Sequence, residues 1–96
     1  MPSITLKNGN LYIESDVYET YLNSADSVVL IHKESKYYLM PVQQMAGGLL
    51  MKIINAKGDR VINAIEFLQY NNIETSETRV IEVKWDQEFS ALSLEL

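Results

Sequence analysis

A chain of 96 residues, 47% apolar and 22% charged, has the size and composition of one globular domain with its own core, which excludes a disordered or collagen-like polymer. It contains no cysteine, and that excludes disulfide frameworks, zinc-thiolate sites, iron–sulfur clusters and thiol nucleophiles. Eight Lys and Arg against thirteen Asp and Glu leave a net charge of −5, and no basic face gathers the cations that a phosphate backbone or an anionic lipid surface would require. Nucleic acid and membrane are therefore disfavoured as partners. The longest apolar run, from Ala46 through Met51, falls well short of the roughly 20 residues needed to span a bilayer. The start Met1-Pro2-Ser3-Ile4-Thr5 lacks the basic and apolar regions of a secretory signal, so a cytoplasmic address is expected.

The first element is a hairpin over 3–13. Two short β-prone runs, Ser3 to Lys7 and Asn10 to Ile13, are joined by Asn8-Gly9, which tolerates the positive φ of a type I′ turn. A two-residue loop there sets Leu6 opposite Leu11 and Ile4 opposite Ile13 on one apolar face. The period then changes. Asp16 with Glu19 three places on offers a reciprocal cap, and Val17, Tyr18, Tyr21 and Leu22 follow at helical spacing, predicting a short helix over about 16–23 that Asn23-Ser24 ends. Ser27 to His32 is a β-branched apolar run expected to form a central strand. Lys33-Glu34-Ser35-Lys36 turns it back into Tyr37-Tyr38-Leu39-Met40, and Pro41 marks a strand terminus or an edge because it has no N–H for the ladder.

After Gln43 to Gly48 the order repeats. Leu49 to Asn55 reads as a strand, Ala56-Lys57-Gly58-Asp59 as its turn and Arg60-Val61-Ile62 as the return; Asn63 with Glu66 then caps a second helix over about 64–70. Asn71-Asn72 stops it. Glu74 to Glu77 is a loop, Arg79 to Trp85 alternates as a strand, and Ala91 to Leu96 is the last one. The expected fold is a single α+β domain, mostly antiparallel β with two short helices. The shared order suggests a duplicated ββαββ unit, with pseudo-repeats over 3–42 and 49–96 joined by 43–48. Two short helices cannot cover both faces of an eight-stranded sheet, so the sheet should curl into a partly open barrel or split in two.

Residues able to carry chemistry are few. His32 is the only histidine; it sits in the most apolar strand, opposite Tyr37, and is expected to be a structural residue bonded to that hydroxyl or to backbone. Asp86 and Glu88 fit no calcium loop and read as solvated turn residues. Gly47-Gly48 lacks a phosphate-loop pattern and reads as a flexible join. Lys33 with Lys36, and Lys57 with Arg60, flank turns. Gly58-Asp59-Arg60-Val61 resembles the hairpin that opens swapped-hairpin transcription factors, and the resemblance implies sequence-specific DNA binding through that hairpin. Six tyrosines and Trp85 are the most distinctive feature, since such side chains join apolar area to a polar tip and favour partly wet sites. Tyr37 and Tyr38 are adjacent in a strand and must face opposite ways, so one of them should meet solvent or a partner.

No acid, base and nucleophile can be assembled, and neither a catalytic residue, a metal site nor a cofactor is expected. The reading is a small non-enzymatic binding or assembly module, associating with a protein partner or with itself through a sheet edge or an aromatic face, with His32, Tyr37, Tyr38, Arg60 and Trp85 as candidate binding residues. One alternative is a small-molecule or ion site, catalytic or not, in a cleft near His32. A further alternative is a DNA-binding regulator.

Overall fold

The hairpin written by Asn8-Gly9 forms with the expected register. β1 (Ser3–Lys7) pairs antiparallel with β2 (Asn10–Ile13), setting Leu6 against Leu11 and Thr5 against Tyr12. Asn8 and Gly9 have φ of 52° and 80°, the two left-handed positions of a type I′ turn. The computed structural model describes residues 2–43 and 47–96; of the joining segment 43–48, positions 44–46 lie outside the described residues.

The first helix is shorter and less regular than its spacing implies. α1 (Ser15–Val17) is a single turn that runs on into a π-helical turn, Tyr18–Leu22. The expected reciprocal cap from Asp16 and Glu19 is absent: Glu14 occupies the N-cap position without a side-chain bond, and the Asp16 side chain accepts the neighbouring Val17 N–H at 2.9 Å. The stripe is buried as expected at Val17, Tyr18 and Leu22.

β3 (Ser27–Lys33) and β4 (Lys36–Val42) make the second hairpin, with His32 opposite Tyr37. β3 is an interior strand. Pro41 pairs with Val28 but lies beyond the Tyr37–Leu39 stretch that β4 shares with the last strand, so its missing N–H faces no ladder there.

The run 49–55 is not the single strand that its composition implies. β5 (Leu49–Leu50) pairs with β3, whereas β6 (Lys52–Ile53) pairs with β7 (Arg60–Asn63). Met51 lies between them, buried, with its N–H donated to the Asp26 carbonyl at 2.9 Å. Since that bond engages Met51 on the β3 side, the chain changes ladder within one residue.

α2 (Ile65–Tyr70) begins one residue later than expected. Ala64 holds the N-cap position, and the Asn63 side chain accepts the Ile65 N–H at 3.2 Å. Its end is a Schellman turn: Ile73 N–H bonds Leu68 C=O at 2.9 Å and Asn72 N–H bonds Gln69 C=O at 3.1 Å, with Asn72 at φ 57°. β8 (Arg79–Asp86) and β9 (Ala91–Leu94) complete the chain.

The strands form one sheet in the order β5-β3-β4-β9-β8-β1-β2-β7-β6. Its two ends, β5 and β6, are separated only by Met51, so the sheet curls into a nearly closed, all-antiparallel barrel. The near-equal extents of 31, 29 and 28 Å agree with a closed sheet and not with a flat one. Inside lie Ile4, Leu6, Leu11, Ile13, Val28, Leu39, Ile62, Ile81, Val83 and Leu92, with Leu22 and Leu68 added from the helical segments.

Candidate functional site

Each helical segment brings one aromatic ring to the end of a strand from the other half of the chain. Tyr21 stacks on Trp85 of β8, with centroids 6.1 Å apart and 16° between planes, and Phe67 of α2 meets Tyr37 of β4 edge-on at 6.2 Å. Tyr37 and Trp85 are both half-buried and line one open groove of about 900 Å³, flanked by Lys36 and Lys84. Two of the five candidate binding residues therefore share this groove, and a third, His32, stacks on Tyr37 beside it.

His32 departs from its expected surroundings. It is exposed at the end of β3 and stacks on Tyr37, with centroids 4.4 Å apart. Its hydrogen-bond partner is neither the Tyr37 hydroxyl nor backbone: Nδ1 lies 2.8 Å from Asn71 Oδ1. The reason is the Schellman end of α2, which sets Asn71 over the strand end, where its Nδ2 donates to Phe67 C=O at 2.8 Å. With the amide nitrogen so engaged, Oδ1 must accept, so the proton sits on Nδ1 and the neutral ring presents Nε2 as an acceptor.

Tyr38 points to the opposite side of the sheet and is buried under Phe89, whose ring lies 4.9 Å away and carries Lys33 Nζ on its face at 4.8 Å. Of the adjacent pair it is Tyr37, not Tyr38, that keeps contact with solvent.

Arg60 lies 3.9 Å above the Tyr18 ring and donates to the Gly58 carbonyl. That guanidinium is held within its own turn. Beside it, Asp59 takes the Asn55 amide at 2.9 Å and the Ser15 N–H at 2.8 Å, with Lys57 Nζ at 4.0 Å. The Asn55 amide chiefly, then the Ser15 N–H and the Lys57 charge, hold the Asp59 carboxyl below the usual carboxylate range. Asp86 accepts the N–H of Glu88 at 2.9 Å and of Phe89 at 3.2 Å, the turn role expected of it. Among the described residues, no three His, Cys, Asp or Glu side chains stand together as a metal site, and no helix is long and apolar enough to cross a membrane.

A surface that the sequence reading passed over lies on the outer wall where the sheet ends meet. Leu50 is 56% exposed and Ile54 46% exposed. With Tyr12, Val61 and the stem of Lys52 they line a depression of about 410 Å³. Leu49-Leu50 was the available signal, because adjacent residues of a strand face opposite ways and one of the pair must leave the core; Ile53 and Ile54 are both exposed, at 65% and 46%. No family model, curated protein or solved structure matches this chain.

Proposed function

We propose that this domain is a small binding or assembly module of the cytoplasm, working through contacts with a protein partner or with a second copy of itself. The observation that carries the reading is the outer-wall patch of Leu50 and Ile54 beside Tyr12 and Val61. Large aliphatic side chains left about half exposed around a shared depression lose free energy in water that a docked surface would recover. The patch lies at the two terminal strands, β5 and β6, each only two residues long, where a sheet is open to further contact.

The same reading includes a duplicated ββαββ unit, which the strand pairings support. With β5 and β6 taken together as the counterpart of β1, exchanging the halves turns β1–β2 into β6–β7, β3–β4 into β8–β9 and β1–β8 into β5–β3, and each of these pairs exists; β2–β7 and β4–β9 join each strand to its own counterpart.

The test compares the wild-type chain with Leu50→Asp and Ile54→Asp, exposed positions where substitution should cost at most about 0.5 kcal/mol of stability. Sedimentation at micromolar concentration and affinity capture should reveal an association, with itself or with a defined protein, that both variants lose. A strict monomer whose captured proteins are the same as those of the variants would overturn the reading.

A second reading, a small-molecule or ion site, is favoured by the free Nε2 of His32 and by the groove beside Tyr37 and Trp85. Its check is the Nε2 resonance of His32. Perturbation by added Zn²⁺ or by a small hydrogen-bond donor supports it, and an unmoved resonance removes it.

A further inference from the structure

We propose that Asn8 is a site of spontaneous deamidation, and that the docking of Gly9 against α2 sets its rate. Asn8-Gly9 is the chain's one Asn-Gly pair. With no Cβ on the following residue, the Gly9 backbone nitrogen can reach the Asn8 side-chain carbonyl. Its attack on Cγ forms a C–N bond, breaks the bond to the amide nitrogen and expels ammonia, leaving a five-membered succinimide. Water then opens that ring, giving aspartate when the backbone bond is kept and isoaspartate when the side-chain carbon becomes part of the main chain. The only co-reactant is water, and Asn8 is exposed to it.

The folded hairpin opposes ring closure. Closure needs the Asn8 backbone to turn so that the Gly9 nitrogen approaches Cγ, whereas Asn8 at φ 52° and Gly9 at φ 80° are held in the two left-handed positions of a type I′ turn closed by the paired strands. Nor can the turn rotate alone. The Gly9 carbonyl accepts the Ala64 N–H at 2.9 Å. The space beside its Cα is filled by the Ile65 side chain, Cδ1 foremost, with Cβ and Cγ1 at 2.9 and 3.1 Å from any Cβ added there. Gly9 is buried by that contact. Reaction therefore waits for the hairpin tip to leave the start of α2, a local opening with its own free energy. Isoaspartate would add a methylene to the main chain of a two-residue turn and carry the Gly9 carbonyl away from Ala64, so the modified chain should open more readily still.

The experiment ages the full chain at mildly alkaline pH and follows Asn8 by peptide mapping. In native buffer deamidation should run at least about tenfold slower than in denaturant. Ile65→Ala, which strips Cδ1 and Cγ1 from the contact on Gly9 and leaves only Cβ, should raise the native rate by severalfold while circular dichroism shows the fold retained; Ile65→Val, which strips Cδ1, should raise it by less and serves if the alanine variant does not fold. Asn8→Gln should abolish the product in both states. Equal rates in native and denatured chains, or a native rate unmoved by the Ile65 variants while hydrogen exchange at Ala64 quickens, would overturn the proposal.

Discussion

The Asp59 carboxylate accepts the backbone N–H of Ser15 at 2.8 Å, across 44 positions of sequence. The start of α1 is thus closed by the turn before β7, not by Asp16 within its own segment. In the other half of the chain, the N–H of Ala64, the N-cap of α2, is closed by the Gly9 carbonyl in the turn between β1 and β2. Each hairpin tip ties down the helix of the opposite half, so the two halves cannot separate without exposing unpaired N–H groups at both helix starts.

This relationship sets the acid behaviour. The folded Asp59 pKa lies below its unfolded value, so its contribution is fully present above the unfolded pKa of about 3.9 and is lost as pH falls through the lower folded value. Asp59→Ala should therefore lower the thermal midpoint at neutral pH, and the gap between variant and wild type should narrow, toward what an uncharged acceptor leaves, as pH falls through the lowered folded value and the carboxylate is protonated in both states of the wild type. Asp59→Asn, which retains an acceptor oxygen, should fall between the two. Melting curves across that pH range check the ordering. A gap that stays constant with pH would mean the carboxylate's charge plays no part.

Gly9 should be irreplaceable by alanine for two separable reasons. Its φ is 80° and the added Cβ would lie 2.9 Å from Ile65 Cβ; backbone conformations this unfavourable for a side chain cost about 1–3 kcal/mol, before any displacement of Ile65. Gly9→Ala should accordingly lose more than that range in chemical denaturation. Adding Ile65→Ala should recover only the steric part due to Ile65 Cδ1 and Cγ1, the nearest and third-nearest atoms to the added Cβ. If the double variant were no less unstable than the sum of the two singles, the contact would not be the source of the loss.

The local part of this fold was legible because its determinants are local. Asn8-Gly9 dictates a turn type, the turn dictates that Leu6 meets Leu11, and the same reasoning placed His32 opposite Tyr37. Non-local closure was not legible. Leu49 to Asn55 reads as one strand because every ladder partner would accept it, and only the bond from Met51 to Asp26 decides where it switches. Asp16 with Glu19 has the spacing of a cap, yet Asp59 takes the role from 44 positions away. The exposure of His32 has the same origin: Asn71, placed by the end of α2, offers a partner outside the core. Of the candidate site, the aromatics at the groove could be named from composition, whereas the Leu50 and Ile54 patch depended on the strand break at Met51.

The stack of Tyr21 on Trp85 gives an optical probe of this cross-half packing, since Trp85 is the sole tryptophan. Tyr21→Ala should shift its emission to the red by admitting water to the ring. A double-mutant cycle with Trp85→Ala should return a coupling of about 0.5–1.5 kcal/mol. An unshifted spectrum together with zero coupling would show the two rings to be independent.

Not every unusual backbone position is optimised, and Glu34 is the clearest case. It is the first of two loop residues between the paired Lys33 and Lys36, and it is held at φ 59° while Ser35 is not among the residues with positive φ. That is the type II′ pattern, whose first loop position favours glycine. A left-handed non-glycine residue costs about 1–2 kcal/mol, whereas glycine adds about 0.5–1 kcal/mol of unfolded-state freedom. Glu34 is exposed, so its replacement should forfeit little packing, and its charge between two lysines is worth no more than about 1 kcal/mol in water. Glu34→Gly should therefore stabilise the domain by about 0.5–1 kcal/mol in urea denaturation, with most of the gain seen as slower unfolding if the hairpin closes after the folding transition state. Asn72→Gly, at φ 57° in the end of α2, should give a smaller gain, because asparagine already tolerates that region. A destabilised Glu34→Gly protein would mean that the glutamate makes a contact outweighing the backbone cost.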